Sequence, residues 1–150
     1  MNRSETVIFT NLCMIYDDNG NVVIQKRTDD EWAGIAFPGG HVEKEEPFTD
    51  SVIREIWEET GLKIWDVELC GVQDWTDNGV RKVIFLYKTN KFEGELVSSA
   101  EGEVEWVPMS KLNELPLAVG MTGMIEVLNN RNLSEHFYYK ENGEWVEVHK

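Results

Sequence analysis

The sequence predicts an α/β fold in which a mixed β-sheet is covered by helices on both faces. Two observations carry that expectation. Strand-like runs flank an amphipathic helix between Pro47 and Gly61, and further strands and a second helical segment follow, an order that calls for a sheet layer between helical layers. The length, 150 residues, allows one domain with a full core, residues 1–150, and leaves too little for two.

Taken in order, Thr6 to Tyr16 is rich in Val, Ile, Phe and Leu and reads as a strand. Asp17-Asp18-Asn19-Gly20 is a turn, after which Asn21 to Arg27 returns as a second strand. The acidic turn lacks the spaced ladder and final Glu of a calcium loop. Lys26 and Arg27 end that strand as an edge charge or as a phosphate contact, the latter more for Arg27. Thr28 to Gly34 is a polar loop carrying Trp32, a residue suited to stacking on a nucleobase or to capping the core. Phe37-Pro38-Gly39-Gly40 is a tight turn where backbone can approach a ligand, and His41 follows it.

The helix of about 13 residues begins after Pro47, whose missing N–H costs nothing in a first turn, and stops at Gly61. At about 100° per residue, Val52, Ile53, Ile56 and Thr60 share one face, while Glu55, Glu58 and Glu59 share another. Like charges one turn apart destabilise a bare helix, so an acidic face here needs either a solvated role or a cation. Trp57 lies on the rim, as a local packing residue or a dimer contact.

Beyond the helix, Lys63 to Trp75 gives one or two strands, Asp77-Asn78-Gly79 a hairpin turn, and Val80 to Lys88 an apolar strand. Trp65 and Trp75 are expected in the core or on its rim. Lys91 to Gly102 is a polar connection, and a strand ends in Trp106-Val107-Pro108. Ser110 to Leu115 reads as a short helix capped by Ser110. Val119 to Asn130 reads as a helix burying Val119, Met124, Val127 and Leu128, weakened by two glycines. Phe137 to Val148 closes the chain as a hairpin around Asn142-Gly143, with Tyr138, Tyr139 and Trp145 giving it an aromatic side.

Residues Gly40 to Leu62, GHVEKEEPFTDSVIREIWEETGL, place Gly40, Glu46, Arg54, Glu55, Ile56, Glu58, Glu59, Gly61 and Leu62 in one spaced pattern. The pattern is the complete Nudix box, and the chain resembles the Nudix hydrolases, with the Phe-Pro-Gly-Gly entry and compact length of MutT-like members. Hard divalent cations take carboxylate and carbonyl oxygens and often bridge to phosphates, which suits glutamates facing a glycine turn. The resemblance implies a Nudix α/β/α sandwich over nearly the whole chain. It also implies Mg²⁺ (or Mn²⁺) held by Glu55, Glu58, Glu59 and the Gly39 carbonyl. An acid before the Trp-Val-Pro strand would join the metal site, Glu101 first and Glu103 as competitor. Glu55 or Glu59 would act on the attacking water and Arg54 would brace the acids. Arg27, Trp32, Phe37, Gly39, Gly40 and Glu46 would form the substrate side.

The expected reaction is hydrolysis of a nucleoside triphosphate, 8-oxo-dGTP or a related (d)NTP, to the monophosphate and pyrophosphate. A nucleotide-sugar or dinucleotide pyrophosphatase is the alternative enzyme, and a nucleotide-sensing module the alternative outside catalysis. The net charge of −14 disfavours a nucleic-acid duplex or an anionic membrane as partner. Cys13 and Cys70 lie in apolar runs and are expected as buried, reduced thiols. With no signal peptide or membrane-length apolar run, a cytoplasmic monomer or homodimer is expected.

Overall fold

A computed structural model describes Met1–Lys150. Strands β1 (Thr6–Ile15), β2 (Asn21–Arg27) and β3 (Gly34–Ala36) precede helix α1 (Phe48–Thr60). Strands β4 (Lys63–Ile64), β5 (Glu68–Asp77), β6 (Val80–Thr89), β7 (Phe92–Glu93) and β8 (Gly102–Pro108) follow. A 3-10 turn, Met109–Glu114, leads to helix α2 (Met121–Asn129) and the terminal strands β9 (Glu135–Glu141) and β10 (Glu144–His149).

One sheet has the order β1-β6-β5-β9-β10, with β1 parallel to β6 and β5 parallel to β9. A second has the order β3-β2-β8, and β4 pairs with β7. Because side chains alternate along a strand, β1 feeds two cores. Leu12 and Met14 enter the one built with Met121, Met124, Val127 and Leu128 of α2. Cys13 and Ile15 enter the one built with Val52 and Ile56 of α1. Val22 and Ile24 against Val23 do the same from β2. Strands buried on both faces, with a helix on each side, give an α/β/α sandwich.

The turns have the chemistry their residues impose. Asn78-Gly79 and Asn142-Gly143 adopt positive φ at both central positions, the mirror-image turn whose twist matches a hairpin. Gly61, at φ 76°, ends α1 by donating its N–H to the Trp57 carbonyl. No helix is long and apolar enough to cross a membrane.

Four expectations are corrected. The short helix after Pro108 is a 3-10 helix, Met109–Glu114, that starts from Pro108 with no side-chain cap, so Ser110 lies inside it rather than capping it. Helix α2 begins at Met121, and Val119 stands before it, 82% exposed rather than buried. Gly120, at φ +90°, occupies the left-handed conformation that delays the helix start. Cys13 is buried, but Cys70 is half-exposed at the register shift between Leu69 and Gly71, where β5 bulges.

Candidate active site

The site is assembled where the glycine turn lies against α1. The Pro38 carbonyl accepts the Cys13 N–H and the Gly40 carbonyl accepts the Asn11 N–H, so the turn is bonded to β1 at both ends. The carbonyl of Gly39, between them, accepts no hydrogen bond from the protein. Buried Asn11 adds a second tie: its Oδ1 accepts from Gly40 N–H at 3.1 Å and its Nδ2 donates to Ser51 Oγ of α1 at 3.0 Å. Both glycines are needed for closeness. A Cβ at Gly39 would lie 2.0 Å from the Asn11 carbonyl oxygen, and one at Gly40 would lie 2.3 Å from the Glu55 carboxylate.

Arg54 organises the acids. Its Nε and Nη2 form a fork on Glu46 at 2.8 and 2.9 Å, and Nη1 reaches Glu55 at 3.0 Å and Glu58 at 3.1 Å. Nη2 also donates to the His41 carbonyl at 3.0 Å, so one planar guanidinium ties the glycine loop to the helix. That fork holds the Glu46 carboxyl down at about 2, and the same bond raises the Arg54 guanidinium above its ordinary range. Glu55 is pulled the other way: burial raises its carboxyl, against the opposing pull of Arg54.

Glu59 is buried, 5% exposed, and accepts the Gly39 N–H at 3.0 Å through Oε2. Desolvation raises its carboxyl to about 7, opposed by the Gly39 N–H and Arg27, with Glu55 and Glu101 adding like charge. Arg27 is held by Gln25 Oε1 at 3.4 Å and the Trp32 carbonyl at 3.3 Å, with its guanidinium 4.9 Å from the Trp32 ring centre. The Trp32 indole N–H donates to the Val119 carbonyl at 2.8 Å, linking the loop after β2 to the start of α2.

A cavity of about 790 Å³ joins these parts. Arg27, Trp32, Gly39, Gly40, Glu55, Glu59 and Glu101 all line it. Glu103 does not; it faces Lys26, which also pairs with Glu105, so Lys26 is an edge charge. Three of the expected site residues stand outside the cavity lining. Phe37 is fully buried in the core and offers substrate no surface. Glu46 does not line the cavity but braces Arg54. Glu58 points to Arg54 instead, with its side chain 55% exposed, and lies outside the cavity lining.

The donor chemistry suits a hard cation: the carboxylates of Glu55, Glu59 and Glu101 line one cavity beside an unengaged carbonyl at Gly39. No three carboxylate, imidazole or thiol groups stand together at metal-binding distance.

Residues outside the motif complete the cavity. Gln25 and Asn11 position the machinery, and Gln73, Lys82, Tyr138 and Trp145 line the far wall. Their only sequence signal is strand alternation, which gives faces but not which face meets a cavity.

The NUDIX domain profile matches residues 10–128. An uncharacterized Nudix hydrolase of Bacillus subtilis, YvcI, is 33% identical over 114 residues, spanning 72% of this chain and 70% of its own. A MutT-like protein of Streptomyces ambofaciens is 28% identical over 116 residues, spanning 77% and 73%. The solved mutator MutT protein of Bacillus halodurans superposes with a TM-score of 0.78 at 28% identity, covering 95% of this chain and 97% of that one.

Proposed function

We propose, from the premise that the chain belongs to the Nudix family of pyrophosphohydrolases, that it hydrolyses a nucleoside triphosphate, 8-oxo-dGTP or a related (d)NTP, to the monophosphate and pyrophosphate. The observation that carries this reading is the single cavity shared by Glu55, Glu59, Glu101, the glycine turn and Arg27.

Mg²⁺, or Mn²⁺ in its place, held by Glu55, Glu58, Glu59, Glu101 and the Gly39 carbonyl would neutralise the polyphosphate and polarise the attacking water. The chain's own groups do the rest. Arg27, fixed by Gln25 and by the Trp32 carbonyl, offers its guanidinium to a phosphate oxygen. Glu59 or Glu55 orients the water and takes its proton, and the depth at which Glu59 sits shields that transfer from bulk solvent. Arg54 does not touch substrate. It holds Glu55 through Nη1 while its fork on Glu46 fixes the guanidinium. Trp32, its face against Arg27, borders the phosphate side of the cavity and leaves the far wall for the substrate's ring.

The test is a panel of oxidised and normal dNTPs, nucleotide sugars and dinucleotides with Mg²⁺, read for phosphate products. Pyrophosphate release from a purine triphosphate above all others supports the proposal. Preferential cleavage of a nucleotide sugar or dinucleotide overturns the triphosphate assignment, and tight binding without turnover of any compound overturns the enzyme.

A further inference from the structure

The far wall of the cavity is one face of the five-stranded sheet. Alternation brings Gln73 and Trp75 of β5, Lys82 and Ile84 of β6, and Ile8 and Thr10 of β1 to that face. The terminal hairpin adds Tyr138 of β9 and Trp145 of β10, although residues 135–149 lie outside the segment matched to the family, residues 10–128. Trp75 and Tyr138 meet edge to face at 6.3 Å, and Tyr138 and Trp145 at 6.4 Å, so the three rings brace one another.

Gln73, 3% exposed, sits among them with a fixed polarity. Its Nε2 donates to the Gly120 carbonyl at 3.1 Å and lies 2.8 Å from His136 Nδ1. The carbonyl can only accept, which fixes the amide orientation, and both Nε2 protons are then engaged. Its Oε1 has no partner in the protein, and Gln73 lines the cavity. His136 is fully buried, and burial, reinforced by His149 and opposed by Glu147, holds its imidazole below the ordinary range; facing the Gln73 amide N–H, its Nδ1 is the acceptor. Gly120, just before α2, and Gly123 within it make room for this arrangement. A Cβ at Gly123 would lie 2.2 Å from the His136 ring, and one at Gly120 would lie 3.0 Å from Gln73 Nε2 and 3.2 Å from the Tyr138 hydroxyl.

We propose that Gln73 is a specificity-determining residue and that the terminal hairpin completes its subsite: Gln73 Oε1 accepts an N–H from the edge of a heteroaromatic ring that packs among Trp75, Tyr138 and Trp145. The subsite therefore selects a ring with a donor edge, such as an amino- or lactam-bearing purine. This proposal rests on the nucleotide-hydrolase reading above. Lys82, which forms no ion pair while its neighbour Arg81 pairs with Glu5 and Asp74, supplies a donor on the same face for a ring carbonyl.

The experiment compares dGTP with purine riboside triphosphate, whose ring has no N–H donor, on wild type, Gln73→Leu and Trp145→Ala, with KM as readout. Wild type should favour dGTP at least tenfold, and Gln73→Leu should lose most of that preference. Trp145→Ala, on the exposed hairpin, should raise both KM values about fivefold or more without altering their ratio, since stacking is sequence-tolerant. A Gln73→Leu variant that keeps the wild-type preference, or a Trp145→Ala variant with both KM values unchanged, overturns the subsite. If no nucleotide turns over, the hydrolase reading falls, and the same ratios read as dissociation constants by titration calorimetry decide the subsite separately. If Gln73→Leu fails to fold, the Trp145→Ala values and the wild-type preference decide it.

Discussion

At the residue scale, Glu59 is under two opposed demands. A carboxylate that serves a cation must be ionised, yet it sits 5% exposed near Glu55 and Glu101 and is raised to about 7. The raised value means the folded chain binds a proton more tightly than the unfolded chain. In the metal-free protein, stability is therefore undiminished below about pH 4.5, falls as pH rises through 7, and carries the whole cost above it. Glu59→Gln keeps the acceptor for Gly39 N–H and removes the charge. It should raise the metal-free melting temperature at pH 8, with the gain shrinking to nothing near pH 4.5 in paired thermal scans. A lower melting temperature at pH 8 would contradict the account. Glu46 has the opposite sign: held at about 2 by Arg54, its stabilisation is complete above the ordinary carboxylate value and is lost as pH falls from there toward 2. Glu46→Gln should therefore flatten the acid limb of the stability profile, measured by denaturant midpoints between pH 5 and 2. These pairings were only partly legible in the sequence. The box spacing places Glu55 and Glu59 one turn apart and Glu58 one turn from Arg54, but helical periodicity is silent on the fork from Arg54 to Glu46 in the loop, or on Phe37 entering the core.

At the scale of elements, α1 and the glycine turn were the most legible parts. Pro47, the apolar face and Gly61 fixed a helix whose ends match Phe48–Thr60, because each boundary is set by local backbone chemistry. Gly40 is used for contact rather than for φ. Gly40→Ala would place a Cβ 2.3 Å from the Glu55 carboxylate and should lower kcat by about tenfold or more while the fold survives, measured beside circular dichroism. The region around α2 was least legible. Two glycines there read as weak points in a helix, whereas Gly120 holds a left-handed start and Gly123 seats the His136 ring from a strand far along the chain. No local signal carries a partner of that kind. Gly123→Ala overfills the seat and should cost about 1–3 kcal/mol in urea unfolding. A neutral result would mean that His136 and α2 are not tightly packed.

At the scale of the whole molecule, the order of strands and helices was enough for the layers, since an apolar strand flanked by helical segments needs cover on both faces. It was not enough for the cavity, which draws its lining from both ends of the chain, from Ile8 to Trp145. The net charge of −14 sets a further condition, because the field of the molecule repels a free polyphosphate while the site attracts it. Added salt screens that repulsion over about 10 Å at 0.1 M, so KM for the nucleotide should fall as KCl rises from low to physiological levels at fixed Mg²⁺. The central claim is that buried acids of α1, set against a glycine turn, act with a divalent cation on a pyrophosphate bond. Its most direct measurement is pyrophosphate release from 8-oxo-dGTP over a Mg²⁺ titration, for wild type and Glu59→Gln. The account predicts saturable Mg²⁺ dependence in the wild type, silence in chelator, and at least a hundredfold loss in the folded variant. Turnover that persists in chelator, or a Glu59→Gln protein as active as the wild type, would contradict it.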